Sequence, residues 1–215
     1  MRACRKTRDV IRISRCQVFV VLFLVGGCRH KNPPPAEIPW RWADPGTSCG
    51  PDARAFPLPE SLRDTAIHPF GSPTRSHWED RATITRGIPG GFGGISWREK
   101  DPRTVVYLLD TTQLAAAVPA LVSVGVLPPN PRVGAIQGRF TYAQLYDWMS
   151  YIQMHVRGVR LAGWAIDEKN NRIIYFLADE ASVTELNRNL AEMHAPCFLV
   201  AFLVTGPNHL LSGVR

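Results

Sequence analysis

The stretch Glu99-Lys100-Asp101-Pro102-Arg103-Thr104-Val105-Val106-Tyr107-Leu108-Leu109-Asp110 recurs 69 residues later as Glu168-Lys169-Asn170-Asn171-Arg172-Ile173-Ile174-Tyr175-Phe176-Leu177-Ala178-Asp179. Five of the twelve positions are identical and most others are alike in kind, so an internal duplication organises the chain. Both copies read the same way. A polar turn, EKDP or EKNN, is rich in turn formers and leads into a run of β-branched and aromatic residues, the returning strand of a hairpin. An Asp closes each strand.

Each copy then continues into a helix. In the first, Asp110 and Gln113 have capping-box spacing and Leu109 and Leu114 are placed as a hydrophobic staple. Leu114, Ala117, Val118 and Leu121 form the apolar stripe, and Pro119 should kink or shorten the helix. In the second, Ser182 and Glu185 have the box spacing, Val183, Leu186, Leu190 and Met193 form the stripe, and Pro196 marks the end. A third strand follows each helix, over 132–140 and 197–204; the latter is almost wholly apolar, which implies cover on both faces. Between the copies, Thr141 and Gln144 form a capping box, Phe140 and Leu145 a staple, and Leu145, Trp148, Met149, Ile152 and Val156 recur at helical spacing. The expected fold class is therefore α+β: a first ββαβ repeat over 87–140, a connecting amphipathic helix over 141–158 and a second ββαβ repeat over 159–206.

The glycines Gly90, Gly91, Gly93 and Gly94 open the first repeat. A phosphate-cradling loop needs a helix after it, whereas Ile95-Ser96-Trp97 is a strand pattern, so these glycines are read as a bulged or tightly bent edge.

Upstream, residues 1–27 hold six basic residues and one acid, followed by a short apolar core from Val18 to Val25. That layout is a secretory signal, too short for a transmembrane helix. Without it the chain's 25 basic and 18 acidic residues become 19 and 17, a net of +2. The basic charge thus lies in the targeting segment, which argues against nucleic acid as a partner. Val25-Gly26-Gly27-Cys28 resembles a bacterial lipobox, which implies lipidation of Cys28 and attachment to a membrane. Arg29 follows where an Asp would resemble an inner-membrane retention signal, so the bacterial envelope, and the outer membrane where there is one, is the expected location. Residues 28–86 are dense in Pro, Gly, Asp and Ser, with three consecutive prolines from Pro33, and read as a semi-rigid tether. Trp40, Trp42 and Phe56 are unusual for a flexible linker and are expected to pack on the domain. An oxidising compartment permits a disulfide between Cys49 and Cys197, and the alternative for Cys197 is a small buried hydrophobe.

The order of the repeats, with Phe92-Gly93-Gly94-Ile95-Ser96-Trp97 and Val105 to Asp110 in one and Gly163-Trp164-Ala165-Ile166-Asp167 and Asn171 to Leu177 in the other, resembles the prodomain of α-lytic protease and streptogrisin-type secreted proteases. The resemblance covers about residues 90–206. It implies a sheet that packs against a protease and a tail, 207–215, that lies in its active site. The sequence holds no GDSGG-like motif, so the resemblance carries shape and protein binding without the protease.

No H-E-x-x-H, C-x-x-C, G-x-S-x-G or P-loop occurs, and His30, His68, His77, His155, His194 and His209 are scattered. His77, Glu79 and Asp80 match no metal spacing, Asp167 and Glu168 read as solvated turn acids, and Asp110 and Asp179 as helix-start acids. The expectation is a non-enzymatic protein with no cofactor, no catalytic residues and no metal. It would be a lipid-anchored module binding an extracytoplasmic protein, peptide or protease. The alternatives are a structural envelope lipoprotein contacting peptidoglycan or an outer-membrane partner, and an unrecognised enzyme. Metabolic labelling with a clickable fatty acid should mark the wild-type chain and be lost in Cys28→Ala; labelling that persists in the variant rules out this lipidation site.

Overall fold

The computed structural model describes residues 40–46, 76–98 and 101–206. In chain order the elements are β1 (Arg41–Trp42), α1 (His77–Thr85), β2 (Phe92–Arg98), β3 (Asp101–Leu108), α2 (Leu114–Ser123), β4 (Val133–Gln137), α3 (Tyr142–His155), β5 (Leu161–Asp167), β6 (Arg172–Leu177), α4 (Ala181–Glu192) and β7 (Val200–Val204). The α+β duplication is as the sequence indicates. In the first unit β2 pairs antiparallel with β3, and β3 parallel with β4. In the second, β5 pairs antiparallel with β6, and β6 parallel with β7. A crossover helix joins the parallel strands of each unit, α2 in the first and α4 in the second. Strand β1 extends the second sheet by pairing antiparallel with β7, giving the order β1-β7-β6-β5.

Helix α3 begins as its sequence dictates. The Thr141 hydroxyl accepts from Gln144 N at 3.0 Å, and the Gln144 side chain accepts from Thr141 N at 2.8 Å. Its first turn, Tyr142 and Ala143, belongs to the core of the first unit with Phe92, Val106, Leu108, Ala117 and Leu121. Leu145, Trp148, Met149 and Ile152 belong to the core of the second unit with Ile173, Tyr175, Leu186 and Phe202. One helix thus serves both cores. Burial raises the pKa of the Tyr142 and Tyr175 hydroxyls, so both stay neutral.

The other helix starts differ from the expected capping boxes. In the first unit Asp110 accepts from Thr112 N and the Thr112 hydroxyl, capping a single 3-10 turn (Thr111–Gln113) that runs into α2. In the second, the equivalent Asp179 accepts from Ser182 N and its hydroxyl, both at 2.8 Å. The Asp, not Ser182, is the capping residue. These hydrogen bonds, the side-chain ones first, hold both carboxyls below the usual carboxylate range. Pro119 lies within α2, which still reaches Ser123.

Two elements lie inside the stretch read as a tether. β1 is one. The other is α1, whose Ser76 hydroxyl accepts from Glu79 N at 3.2 Å and which packs on α3, with Arg86 paired to Asp147 at 2.6 Å.

The β5–β6 turn docks onto the first unit. Asn171 adopts a left-handed conformation (φ 51°) and is 4% exposed. Its Oδ1 accepts from Arg139 N and Phe140 N at 2.7 and 2.9 Å. Its Nδ2 donates to Gly93 O and Phe140 O at 2.9 and 2.8 Å. A Cβ on Gly93 would stand 2.6 Å from both Asn171 Nδ2 and Phe140 O, and one on Gly94 would stand 2.9 Å from Glu168 Cβ. The bulge expected at these glycines is present, between Phe92 and Gly94. Close approach of the turn is its reason.

Asp167 and Glu168 are corrected accordingly: they are not solvated turn acids. Glu168 Oε2 accepts from Ile95 N at 2.8 Å and pairs with Arg81 at 2.8 Å, while Asp167 pairs with Arg172 at 2.9 Å. Asn171→Ala leaves two amides and two carbonyls without these partners and should cost about 3 kcal/mol of unfolding free energy, measured by urea titration. Gly93→Ala should be destabilising for the same reason. Replacing Asp110 and Asp179 by Asn should flatten the acid limb of stability. Their carboxyls are depressed in the fold, so their contribution is present above the unfolded value of about 3.9 and is lost as pH falls through the lower folded value.

Candidate binding surface

Strand alternation decides what the outer face of the second sheet presents. Ile173, Tyr175 and Leu177 point into the core beneath α3 and α4, so Ile174 and Phe176 point the other way. Across the sheet, Trp42 is the register partner of Ala201, which pairs with Ile174, which pairs with Ala165. The next row is Leu203, Phe176 and Gly163. Trp40, two residues before Trp42, stacks edge-on against Phe176 with ring centres 5.6 Å apart. The pattern Trp-Arg-Trp therefore sends both indoles to the outer face. Arg41 between them goes to the helix side, where it bonds Glu180 at 2.8 Å and lies over the Phe202 ring.

Arg172, the first residue of β6, lies on this face at one end of the sheet. It is 6% exposed, its Nε donates to Asp167, and its guanidinium carbon lies 5.4 and 5.0 Å from the ring centres of Trp40 and Trp42. A cation placed on aromatic faces gains about 0.5–2 kcal/mol per contact, more as it loses water. Trp42 packs edge-on against Phe198 at 5.6 Å and is still 45% exposed. Arg139 lies over the Phe198 ring, with its guanidinium carbon 4.3 Å from the ring centre and its side chain exposed. The result is a row of three aromatic side chains, Trp40, Trp42 and Phe198, with one buried and one exposed arginine. Such a surface is chemically suited to stacking and apolar contact, and the exposed arginine to meeting an acidic or carbonyl group.

Of the residues singled out in the sequence, Cys28, Cys49, Phe56 and the 207–215 tail lie outside the described residues. Cys197 is buried and disulfide-bonded, and every other cysteine lies outside the described residues. The antiparallel run of β1 on β7 carries the chain from Ala43, whose N donates to Val200 O, in the direction of Cys197. Cys49 follows six residues after Ala43. His77 opens α1 and stacks on Trp78, and Asp80 lies in that helix's first turn. Among the described residues no group of three or more His, Cys, Asp or Glu side chains could hold a metal ion, and no helix is long and apolar enough to cross a membrane.

Trp40 and Trp42 pack on the domain as expected, but the surface they build was not legible. Its other members, Phe176, Phe198, Arg139 and Arg172, come from three more segments. The available signal was the Trp-Arg-Trp alternation in a proline-rich stretch, since period-two aromatics fit one face of a strand. No protein-family model matches the chain, and no curated protein matches it.

Arg172→Met should lower stability by about 2 kcal/mol and shift the tryptophan emission spectrum, because it removes the cation held against Trp40 and Trp42 and leaves the Asp167 carboxylate with Asn170 but without its charge partner.

Proposed function

We propose that this chain is a non-enzymatic interaction module of the bacterial envelope, lipid-anchored through Cys28, which captures an extracytoplasmic protein or peptide on the outer face of its second sheet. The observation that carries this reading is the exposed Trp42 beside Arg172, Phe198 and Arg139. Tryptophan and arginine dominate the residues that hold protein interfaces together, and a half-exposed indole braced by a buried cation is already positioned before a partner arrives. The strand that contributes Trp42 lies inside the stretch read as a tether, so part of that stretch belongs to the surface itself. The resemblance to protease prodomains points the same way, toward a sheet face as a protein-docking surface.

The test is crosslinking in intact envelopes with the wild-type chain, Trp42→Ala and Arg139→Glu. A specific partner should be captured by the wild type and lost or reduced at least about tenfold in both variants, as expected for interface anchors. An unchanged set of crosslinked proteins in both variants would sink the reading. Retention on purified peptidoglycan that both variants preserve would favour the structural-lipoprotein alternative instead.

A further inference from the structure

The turn between α4 and β7 is strained at the residue that completes the aromatic row. Leu199 N donates to Pro196 O at 3.4 Å, which leaves Cys197 and Phe198 at the two central positions of that turn. Phe198 has a φ of 60°. The third residue of a turn takes a positive φ readily when it is Gly or Asn, and a bulky side chain there is strained. Such strain persists only where the surroundings over-determine it, and it collects at functional sites. Here the surroundings are the row itself, since the Phe198 ring is packed edge-on against Trp42 and lies under Arg139.

The residue before Phe198 carries a covalent tie. Cys197 is 4% exposed and disulfide-bonded. It belongs to the compact unit Ile38–Arg215, in which the only other cysteine is Cys49. The register leads to the same residue. Arg41 faces Phe202 and Trp42 faces Ala201, so counting on along the antiparallel pair brings Gly46 opposite Cys197, three residues before Cys49. Three residues span at most about 10 Å, and Gly46 has the positive φ of a turn (69°), so a bridge to Cys197 is within reach.

Strand β1 depends on such a tie. It is two residues long, and its further bonds are Ala43 N to Val200 O, Asp44 N to Asn187 Oδ1 and the ion pair Arg41–Glu180, which is exposed and therefore weak. Of residues 40–46, Ala43 alone enters the buried core of the second unit. The strand can leave β7 with little loss to that core, and it takes Trp40 and Trp42 with it.

We propose that a Cys49–Cys197 disulfide is a redox-operated clasp of the aromatic surface. With the bridge oxidised, β1 lies on β7 and Trp40, Trp42 and Phe198 form the row. With it reduced, β1 leaves β7, Phe198 relaxes from its positive φ, and the row comes apart while the rest of the second unit stays folded. The use of the clasp rests on the reading of this face as a docking surface; its mechanics do not. The reductant is a dithiol. One of its thiolates attacks the Cys49 sulfur, because the Cys197 sulfur is buried. The S–S bond breaks, and Cys197 leaves as a thiolate and takes up a proton. The second thiol of the reductant then displaces Cys49 in the same way. The bridge gains two electrons and two protons, and the dithiol becomes a disulfide. Along the chain Cys49 is six residues from Ala43, whereas Ser76, where the cap of α1 begins, is 33 residues away. Effective concentration falls roughly as the −3/2 power of tether length, so loss of the nearer anchor should open β1 about tenfold more often.

Hydrogen exchange of the full chain, read by mass spectrometry, tests this with dithiothreitol as the dithiol. Peptide mapping without reductant should recover Cys49 linked to Cys197. Reduction should speed amide exchange over residues 41–44 about tenfold, shift the tryptophan emission, and leave peptides of β5 and β6 as protected as before. Reoxidation should restore the protection. Cys49→Ser should match the reduced chain with or without dithiothreitol, and it leaves the buried Cys197 in place. The proposal is overturned if Cys197 is linked to another cysteine, or if residues 41–44 exchange at the same rate after reduction. It is equally overturned if β5 and β6 open together with β1, since the bridge is then a staple of the whole unit. No partner enters the measurement, so its outcome is separate from that of the crosslinking in envelopes.

Discussion

The arrangement of the two units depends on the side chain of Asn171. An asparagine amide has two acceptor sites and two donors, and here all four are used, on Arg139 N, Phe140 N, Phe140 O and Gly93 O. The bonds span from the β5–β6 turn to β2 and to the junction between β4 and α3. Because both the N–H and the C=O of Phe140 are held, the residue before the Thr141 cap is fixed, and with it the direction in which α3 leaves the first unit. A buried polar group is tolerable only when fully satisfied, and a fully satisfied one admits a single geometry. The surrounding sequence follows from that requirement. Asn tolerates the left-handed conformation the turn needs. Gly93 has no side chain because a Cβ would collide with the amide, and Gly94 leaves room for Glu168. Arg81 completes the dock: it pairs with Glu168 and lies over the rings of Phe92 and Tyr142, tying α1 to the same turn.

The elements that were legible in the sequence are those built from local pattern. Each hairpin carries its own β-branched run and turn, and α3 carries both halves of its capping box. Twice the same sequence of signals appeared, and each copy corroborated the other. The parts that were not legible depend on partners distant in the chain. Helix α1, HWEDRATIT, buries little more than Ala82 and Thr85, so it has almost no apolar period to detect. Strand β1 is two residues long and exists only because β7 offers an edge. Asp167 and Glu168 read as solvated turn acids because their partners, Arg172 for the one and Arg81 with Ile95 N for the other, are brought to them only by the fold. The aromatic surface failed to appear for the same reason, since its residues come from β1, β6, the segment before β7 and the segment before α3.

The duplication is not a symmetry. The residue of the first copy that matches Asn171 is Pro102. A proline holds φ near −65°, cannot enter the left-handed region and has no side-chain amide. The turn of the first copy therefore cannot return the interaction that the second makes, and the lock between the units runs one way. Positions that face the same physical demand in both copies have kept the same answer: the helix-start acids Asp110 and Asp179, the buried helix residues, the aromatic strand residues Tyr107 and Phe176 that share an outward register. Positions that have drifted are those where the demand differs.

That contrast separates two surfaces. In the second unit the sheet edge is closed within the chain by β1, held by Arg41 on Glu180 and by Asp44 N on Asn187, and the charged row Glu185–Arg188–Glu192 keeps α4 in water. What stays open there is the aromatic face around the exposed Trp42. In the first unit the equivalent positions of α2 are Ala116, Val118, Pro119 and Ser123, none of them charged, while its core face and its Asp cap match those of α4. Loss of stability does not explain such a pattern, because the substituted positions are exposed and surface changes of this kind are nearly neutral to folding. Exchanging charge for alanine, valine and proline at successive outward positions lowers solubility unless the face is covered. Among the described residues that cover is absent from α2, whose outward Ala115, Ala116, Pro119 and Ser123 are exposed.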